Sequence, residues 1–382
     1  MEKPIPYGRQ HLSEKDIDAV LNCLKSDLWT QGPLVDAFEK AFAEYTGAKF
    51  AVAVANGTAA LHLCALALDV DENTNVITTP ITFAASANCI RYCGGSVYFA
   101  DIDKDSILID IEKVKELIAS KPNGFFKGII PVDFAGSAVD LEKLREIAIE
   151  NGMWIIEDAC HAPGGFFTDS KGTKQYCGNG QFADLAIFSF HPVKHIACGE
   201  GGMITTNDEA LYKKLLKLRT HGITKDPMQM EKNDGGWYYE MQMLGYNYRI
   251  PDVLCALGLS QLSRANEGLA RRREIAEKYR KAFSGKIEMP DEDPGHAYHL
   301  FIIRTPERKV LYDHLRSKNI FCQVHYIPVH TLPYYRSLGN KAGDHPVSEQ
   351  YYSECLSIPM FPSLTDAEQE YVINEILTFS AK

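Results

Sequence analysis

Between residues 45 and 205, short apolar runs rich in β-branched residues alternate with amphipathic segments of helical length. No other feature constrains the fold as strongly. "FAVAVAN" (50–56) reads as a buried strand and "TAALHLCALAL" after it as a helix. "NVITTP" precedes the helix "FAASANCIRYC", and "SVYFADID" is the next strand. "KGIIPVDF" leads through "AGSAVD" into the helix "LEKLREIAIENG", which "MWIIEDA" follows as a strand. Strands that are apolar throughout, each followed by a crossover helix, belong to a mostly parallel sheet covered on both faces. The expected large domain is a doubly wound, three-layer α/β unit.

"LAIFSF" and "GGMITT" read as its last two strands, joined as a near-hairpin. "PDVLCALGLSQLSRANEGLARRREIAEKYRKAF" reads as one helix long enough to bridge two domains. From about residue 285, "YHLFIIRT", "RKVLYDHLRSKN" and "IFCQVHYIP" predict a small α+β domain closed by a final helix. The expected division is a large domain over 1–250, then the bridging helix and small C-terminal domain over 251–382. The segment "GITKDPMQMEKNDGGWYYEMQMLG" is the longest irregular stretch, and irregular stretches of that length are commonly functional.

Charge narrows the partners. Forty Lys and Arg oppose 50 Asp and Glu, a net charge of -10, which disfavours nucleic acid because binding there rests on cationic contacts to phosphates. A local site can still attract a small anion. No apolar run is long enough for a membrane helix, and "MEKPIPYGRQ" lacks a hydrophobic signal core. The ten cysteines are scattered through apolar segments without any CxxC, so they read as reduced thiols and the protein as cytoplasmic.

In such sheets ligands bind beyond the carboxyl ends of the strands, and four features fall there. Asn56, Gly57 and Thr58 open a helix, which is either an ordinary cap or an anion cradle. Asp158 and His161 sit at the exit of "MWIIEDA"; a buried carboxylate needs a cation or proton donor opposite, unless Asp158 is simply a turn residue. Phe83 lies past another strand end, as a core residue or a stacking platform. Lys194 ends the apolar run "LAIFSFHPVK", with Ser189 before it. A metal is a poor fit for His191, His195 and Cys198, because Pro192 breaks the helix that would align the histidines and an ammonium opposes a dication. Lys194 either snorkels to solvent or is a desolvated, nucleophilic amine. An anion cradle, a buried carboxylate, a flat apolar face and a nucleophilic lysine are together the parts that pyridoxal phosphate requires.

"DLWTQGPLVDAFEKAFAEYTGAKFAVAVANGTAALHL", "TPITFAASAN", "EDACHA", "FSFHPVKHIACGEGGMITT" and "GYNYRIPDVLCALGLSQL" resemble the DegT-type nucleotide-sugar aminotransferases, in the family's order and over nearly the whole chain. The resemblance implies the aspartate-aminotransferase-like fold, that is, fold type I of the pyridoxal 5'-phosphate enzymes. It implies that Lys194 forms the Schiff base and Asp158 pairs with the pyridine nitrogen. Gly57, Thr58 and Ser189 match phosphate-side positions, and His161 and Phe83 positions packing on the cofactor ring. Asn247 in "GYNYR" matches an asparagine that reaches the cofactor phosphate of the neighbouring subunit, which implies a homodimer with shared sites. The implied amino donor is glutamate, leaving 2-oxoglutarate. "QVHYIPVHTLPYY" and "PITFAASANCIRYCGG" most resemble the branch that aminates C4 of a UDP-linked 4-keto-6-deoxy-N-acetylhexosamine on the route to pseudaminic acid. Tyr7, Arg249 and His325 are the expected partners of the UDP diphosphate. Two further readings stand beside this one: a cofactor-free Schiff-base aldolase, and a sugar-binding regulator, against which the lack of a DNA-binding module weighs.

Overall fold

The computed structural model of the chain describes residues 3–380. Seven strands form the central sheet: β1 (Phe50–Val54), β2 (Asn75–Thr78), β3 (Ser96–Phe99), β4 (Phe126–Ile130), β5 (Trp154–Asp158), β6 (Leu185–Ser189) and β7 (Gly202–Thr206). Their order is β1-β7-β6-β5-β4-β2-β3. The β3–β2, β2–β4, β4–β5 and β5–β6 pairs are parallel, and β7 lies antiparallel between β6 and β1. The near-hairpin expected of "LAIFSF" and "GGMITT" is the β6–β7 pair, with Ser189 opposite Gly202.

Alternation along each strand builds three layers. Val52, Val54, Ile156, Ile187 and Ile204 face α1 (Gly57–Ala67) and α2 (Ala85–Tyr92). Ala51, Ala53, Phe188 and Met203 face the helices Pro33–Thr46 and α3 (Asp252–Leu262). Farther along that second face, Ile77, Ile129 and Ile155 meet the helices Ile111–Ala119 and Leu141–Glu150. Burying apolar area on both faces fixes the strand register, because a slip of one residue would exchange the two sets.

The expected bridging helix is two helices, α3 and α4 (Ala265–Phe283). Arg264 leaves helical geometry between them and pairs with the fully buried Asp16 carboxylate at 2.6 Å. A buried carboxylate is costly unpaired, and a tertiary ion pair of this kind overrides the helical propensity of "SQLSRANE". Beyond α4, β8 (Phe301–Arg304) pairs antiparallel with β10 (Cys355–Ile358). Between them in sequence, β9 (Ile320–Phe321) pairs with the strand Ile5–Pro6, which ties the N-terminus to the C-terminal unit. Ile5, Ile275, Tyr279, Phe301, Leu315 and Ile376 share that unit's core. All ten cysteines are free thiols. Among the described residues no helix is long and apolar enough to cross a membrane.

Candidate active site

The carboxyl ends of β1, β5 and β6 open on one cavity of about 670 Å³. At the end of β1 the Asn56 side chain caps α1, its Oδ1 accepting from Ala59 N at 2.8 Å. The first amides of a helix have no partner within it, so those of Gly57 and Thr58 make this end an anion cradle. Close packing here requires glycine. A Cβ on Gly57 would meet Ser189 Cβ at 3.0 Å, and one on Gly202 would meet Asn56 O at 2.5 Å.

Asp158 ends β5 as a buried carboxylate. It accepts from Ser86 Oγ at 2.6 Å and from Cys160 N at 3.2 Å, and makes no ion pair among the described residues. The donor opposite Asp158 is therefore a hydroxyl of α2, itself 2.7 Å from Thr82 Oγ1. On the opposite face of β5, Glu157 accepts from Gly178 N while Asp133 Oδ1 accepts from Val139 N. Burial pushes both carboxyls up, and the Asp133 charge raises Glu157 further. With Cys177 they form the one group of potential metal-ligating atoms among the described residues, all within 4.8 Å of one another.

Lys194 stands past β6, with Nζ 3.4 Å from Nε2 of His299. Burial lowers its pKa, while Cys160 and Asp158 act in the opposite sense. The imidazoles around it are neutral. Burial, reinforced by the Lys194 charge, puts His161 and His299 well below the usual histidine range and brings His325 down to about 3. His161 Nδ1 accepts from Ala135 N, which leaves its Nε2–H to donate to Tyr326 Oη at 3.2 Å. The Tyr326 hydroxyl proton is then free to serve a ligand.

Of the residues expected from sequence, Lys194, Asp158, Gly57, Thr58, Ser189, His161, Phe83, Tyr7 and His325 all line this cavity. Phe83 is 62% exposed, an open aromatic face rather than a core residue. Tyr7 and His325 pack together, ring centroids 5.1 Å apart. Asn247 and Arg249 do not reach the cavity within one chain. They flank Tyr248, which lines it, and extended backbone turns alternate side chains to opposite sides. Arg249 instead lines a separate pocket with Gln31 and Thr220, and Asn247 is exposed beside its backbone bridge to Thr220. His195 Nε2 lies 2.8 Å from Ala297 O. Sequence reasoning missed Ser86, His299 and Tyr326. The last adjoins His325 in a conspicuous His- and Tyr-rich run, whereas the other two sit in runs that read as core.

The sequence profile of the DegT/DnrJ/EryC1/StrS aminotransferase family matches residues 10–377. The spore coat polysaccharide biosynthesis protein SpsC of Bacillus subtilis is 37% identical over 384 residues, covering 97% of this chain and 96% of SpsC. Among solved structures, the putative sugar aminotransferase Spr1654 from Streptococcus pneumoniae in its PMP form superposes with a TM-score of 0.91 at 28% identity, covering 99% of both chains. PseC of Helicobacter pylori, an aminotransferase of pseudaminic acid biosynthesis, gives 0.89 at 29%, covering 99% of this chain and all of its own. Aminotransferases of that family depend on pyridoxal phosphate. The cavity here fits it: a helix end for the phosphate, an unpaired carboxylate for a cationic ring nitrogen, an open aromatic face and one lysine.

Proposed function

The chain belongs to the DegT/DnrJ/EryC1/StrS aminotransferase family and uses pyridoxal phosphate, and from that premise we propose that it moves an amino group from glutamate to C4 of a UDP-linked 4-keto-6-deoxy-N-acetylhexosamine. One observation carries the reading of the site: Lys194 and Asp158 share one cavity beyond adjacent parallel strands, both within reach of a ligand seated on the α1 N-terminus.

The bound cofactor supplies an aldehyde that carries the amine and a ring that withdraws electrons from the reacting carbon. The chain's residues do the rest. Gly57, Thr58 and Ser189 hold the phosphate, and Asp158 keeps the ring nitrogen protonated. Phe83 and His161, which line the same cavity, would pack against the ring. Lys194 Nζ takes the proton from the donor's Cα and later delivers one to the carbon that receives nitrogen, with its lowered pKa favouring the free amine as base. Tyr7 and His325 bind the nucleotide sugar from the small-domain side.

Asn247 and Arg249 act in the site of a second copy, which accounts for their facing away from their own cavity. The segment that carries them also exposes Met228, Trp237 and Leu244, an apolar set suited to burial against that copy. Subunits carrying Lys194→Ala, mixed with subunits carrying Asn247→Ala, form heterodimers with one intact site. Under subunit exchange, turnover should return to about a quarter of the wild-type value by random pairing. No recovery would place Asn247 in its own chain's chemistry or outside it.

Regiochemistry needs a separate test, since C3 and C4 ketones present the same carbonyl and distant contacts choose between them. "QVHYIPVHTLPYY", which contributes His325 and Tyr326 to the cavity, supports the C4 reading together with its resemblance to the C4-aminating branch. Purified 4-amino and 3-amino UDP-sugars are incubated with 2-oxoglutarate and glutamate is measured. Glutamate from the 4-amino sugar alone is expected; glutamate from the 3-amino sugar, or equally from both, overturns the C4 assignment.

A further inference from the structure

His299 enters the cavity from the chain just before β8, and its position is set by main-chain contacts. The buried Arg272 of α4 donates through Nη1 to the carbonyls of Tyr298, His299 and Met360, and Leu300 N donates to Ala135 O. His299 is 4% exposed, with its Nε2 3.4 Å from Lys194 Nζ. The other imidazoles nearby make their hydrogen bonds to other groups. His161 uses Nδ1 for Ala135 N and Nε2 for Tyr326, His195 meets Ala297 O, and His325 Nδ1 meets Ser357 Oγ at 2.8 Å. Among the described residues, His299 is the partner with which Lys194 Nζ makes a hydrogen bond.

An ammonium donates and does not accept. A contact with Lys194 in its charged form therefore requires Nε2 to be the acceptor and Nδ1 to carry the ring proton. We propose that His299 is a positioning residue for transamination: a neutral, Nδ1-protonated imidazole that accepts a hydrogen bond from Lys194 Nζ whenever that amine is free of the cofactor. With one N–H held by Nε2, the free amine keeps its lone pair for the proton on the reacting carbon. The bond also stabilises the ammonium relative to the amine, so it sets the pH at which Lys194 becomes a base. The charged and titratable groups facing the pair are Asp158, Cys160, His161, His195, His325 and Arg272. Burial and the neighbouring Lys194 charge keep His299 neutral through the physiological range.

The proposal rests on Lys194 being the cofactor-bearing amine, and the experiment separates the two claims. Holoenzyme is first reduced with borohydride; the cofactor's mass on Lys194 establishes that amine, and its absence there overturns the site reading itself. The pH dependence of Lys194 acetylation by acetic anhydride is then followed by peptide mass in the cofactor-free protein for wild type, His299→Leu and His299→Gln. Leu fills space and accepts nothing, so the midpoint should fall by about one pH unit, a tenfold change in proton affinity for one hydrogen bond. Gln, whose amide oxygen can accept, should return it most of the way. A midpoint unmoved in folded His299→Leu overturns the proposal, as does an equal shift in Leu and Gln, which would mark a packing effect. If Leu does not fold, Gln against Asn decides. The Asn oxygen is one methylene short, and equal midpoints in those two overturn the proposal.

Discussion

Lys194→Ala is expected to abolish turnover, by roughly 10⁴-fold or more, because it removes both the covalent anchor and the group that moves the proton. The fold should survive. Lys194 is half-buried and makes no ion pair among the described residues, so truncation leaves no uncompensated buried charge. Cofactor binding should weaken less than turnover, since the helix-end cradle at Gly57 and Thr58 and the Asp158 carboxylate are untouched. Steady-state turnover with glutamate and a UDP-keto-sugar, beside cofactor titration followed by fluorescence, separates the two effects. Substantial turnover in the variant would remove Lys194 from the mechanism.

Asp158→Asn has the second largest expected effect, with a different signature. Asn keeps the shape and can still accept from Ser86 Oγ, now 2.6 Å from a carboxylate oxygen, but it has no charge to hold a ring proton. Turnover should fall by about 10²–10³-fold, the scale of losing one preorganised electrostatic partner at a reacting centre. Affinity for the cofactor should fall by only about tenfold, that of one charge-assisted hydrogen bond weakened to a neutral one. Ser86→Ala should reproduce a small part of the loss by leaving one carboxylate oxygen unsatisfied. Near-normal turnover in Asp158→Asn would reduce Asp158 to a turn residue.

The large sheet was legible because its strands are largely apolar and the first four are each followed by a helix, a pattern that few folds share. The site was legible for a related reason: Asn56-Gly57-Thr58, Asp158 and Lys194 interrupt apolar runs where a core residue would otherwise stand. The pairing of Ile5–Pro6 with Ile320–Phe321 was not, since two residues carry no periodicity and their partner lies almost a chain length away. The break between α3 and α4 was hidden because the Arg264–Asp16 ion pair that fixes it is tertiary. His299 and Ser86 were hidden for the same reason. Each sits beside a strand or in a helix that reads as core, and its meaning comes from a group brought near by folding, Lys194 in one case and Asp158 in the other. Arg249 shows the converse limit: expected at the UDP diphosphate, it lines a separate pocket in the single chain. Asn247, which the resemblance assigns to the neighbouring subunit's cofactor, also lies outside its own chain's cavity.

The central claim is that Lys194 is the amine joined to the cofactor in a cavity built from the ends of β1, β5 and β6. Borohydride reduction of the cofactor-loaded protein, followed by proteolysis and peptide mass spectrometry, tests it most directly. The mass of the reduced cofactor is expected on the peptide containing Lys194, with none on any other lysine and none anywhere in Lys194→Ala. Label on a different lysine, or undiminished label in Lys194→Ala, would contradict the claim.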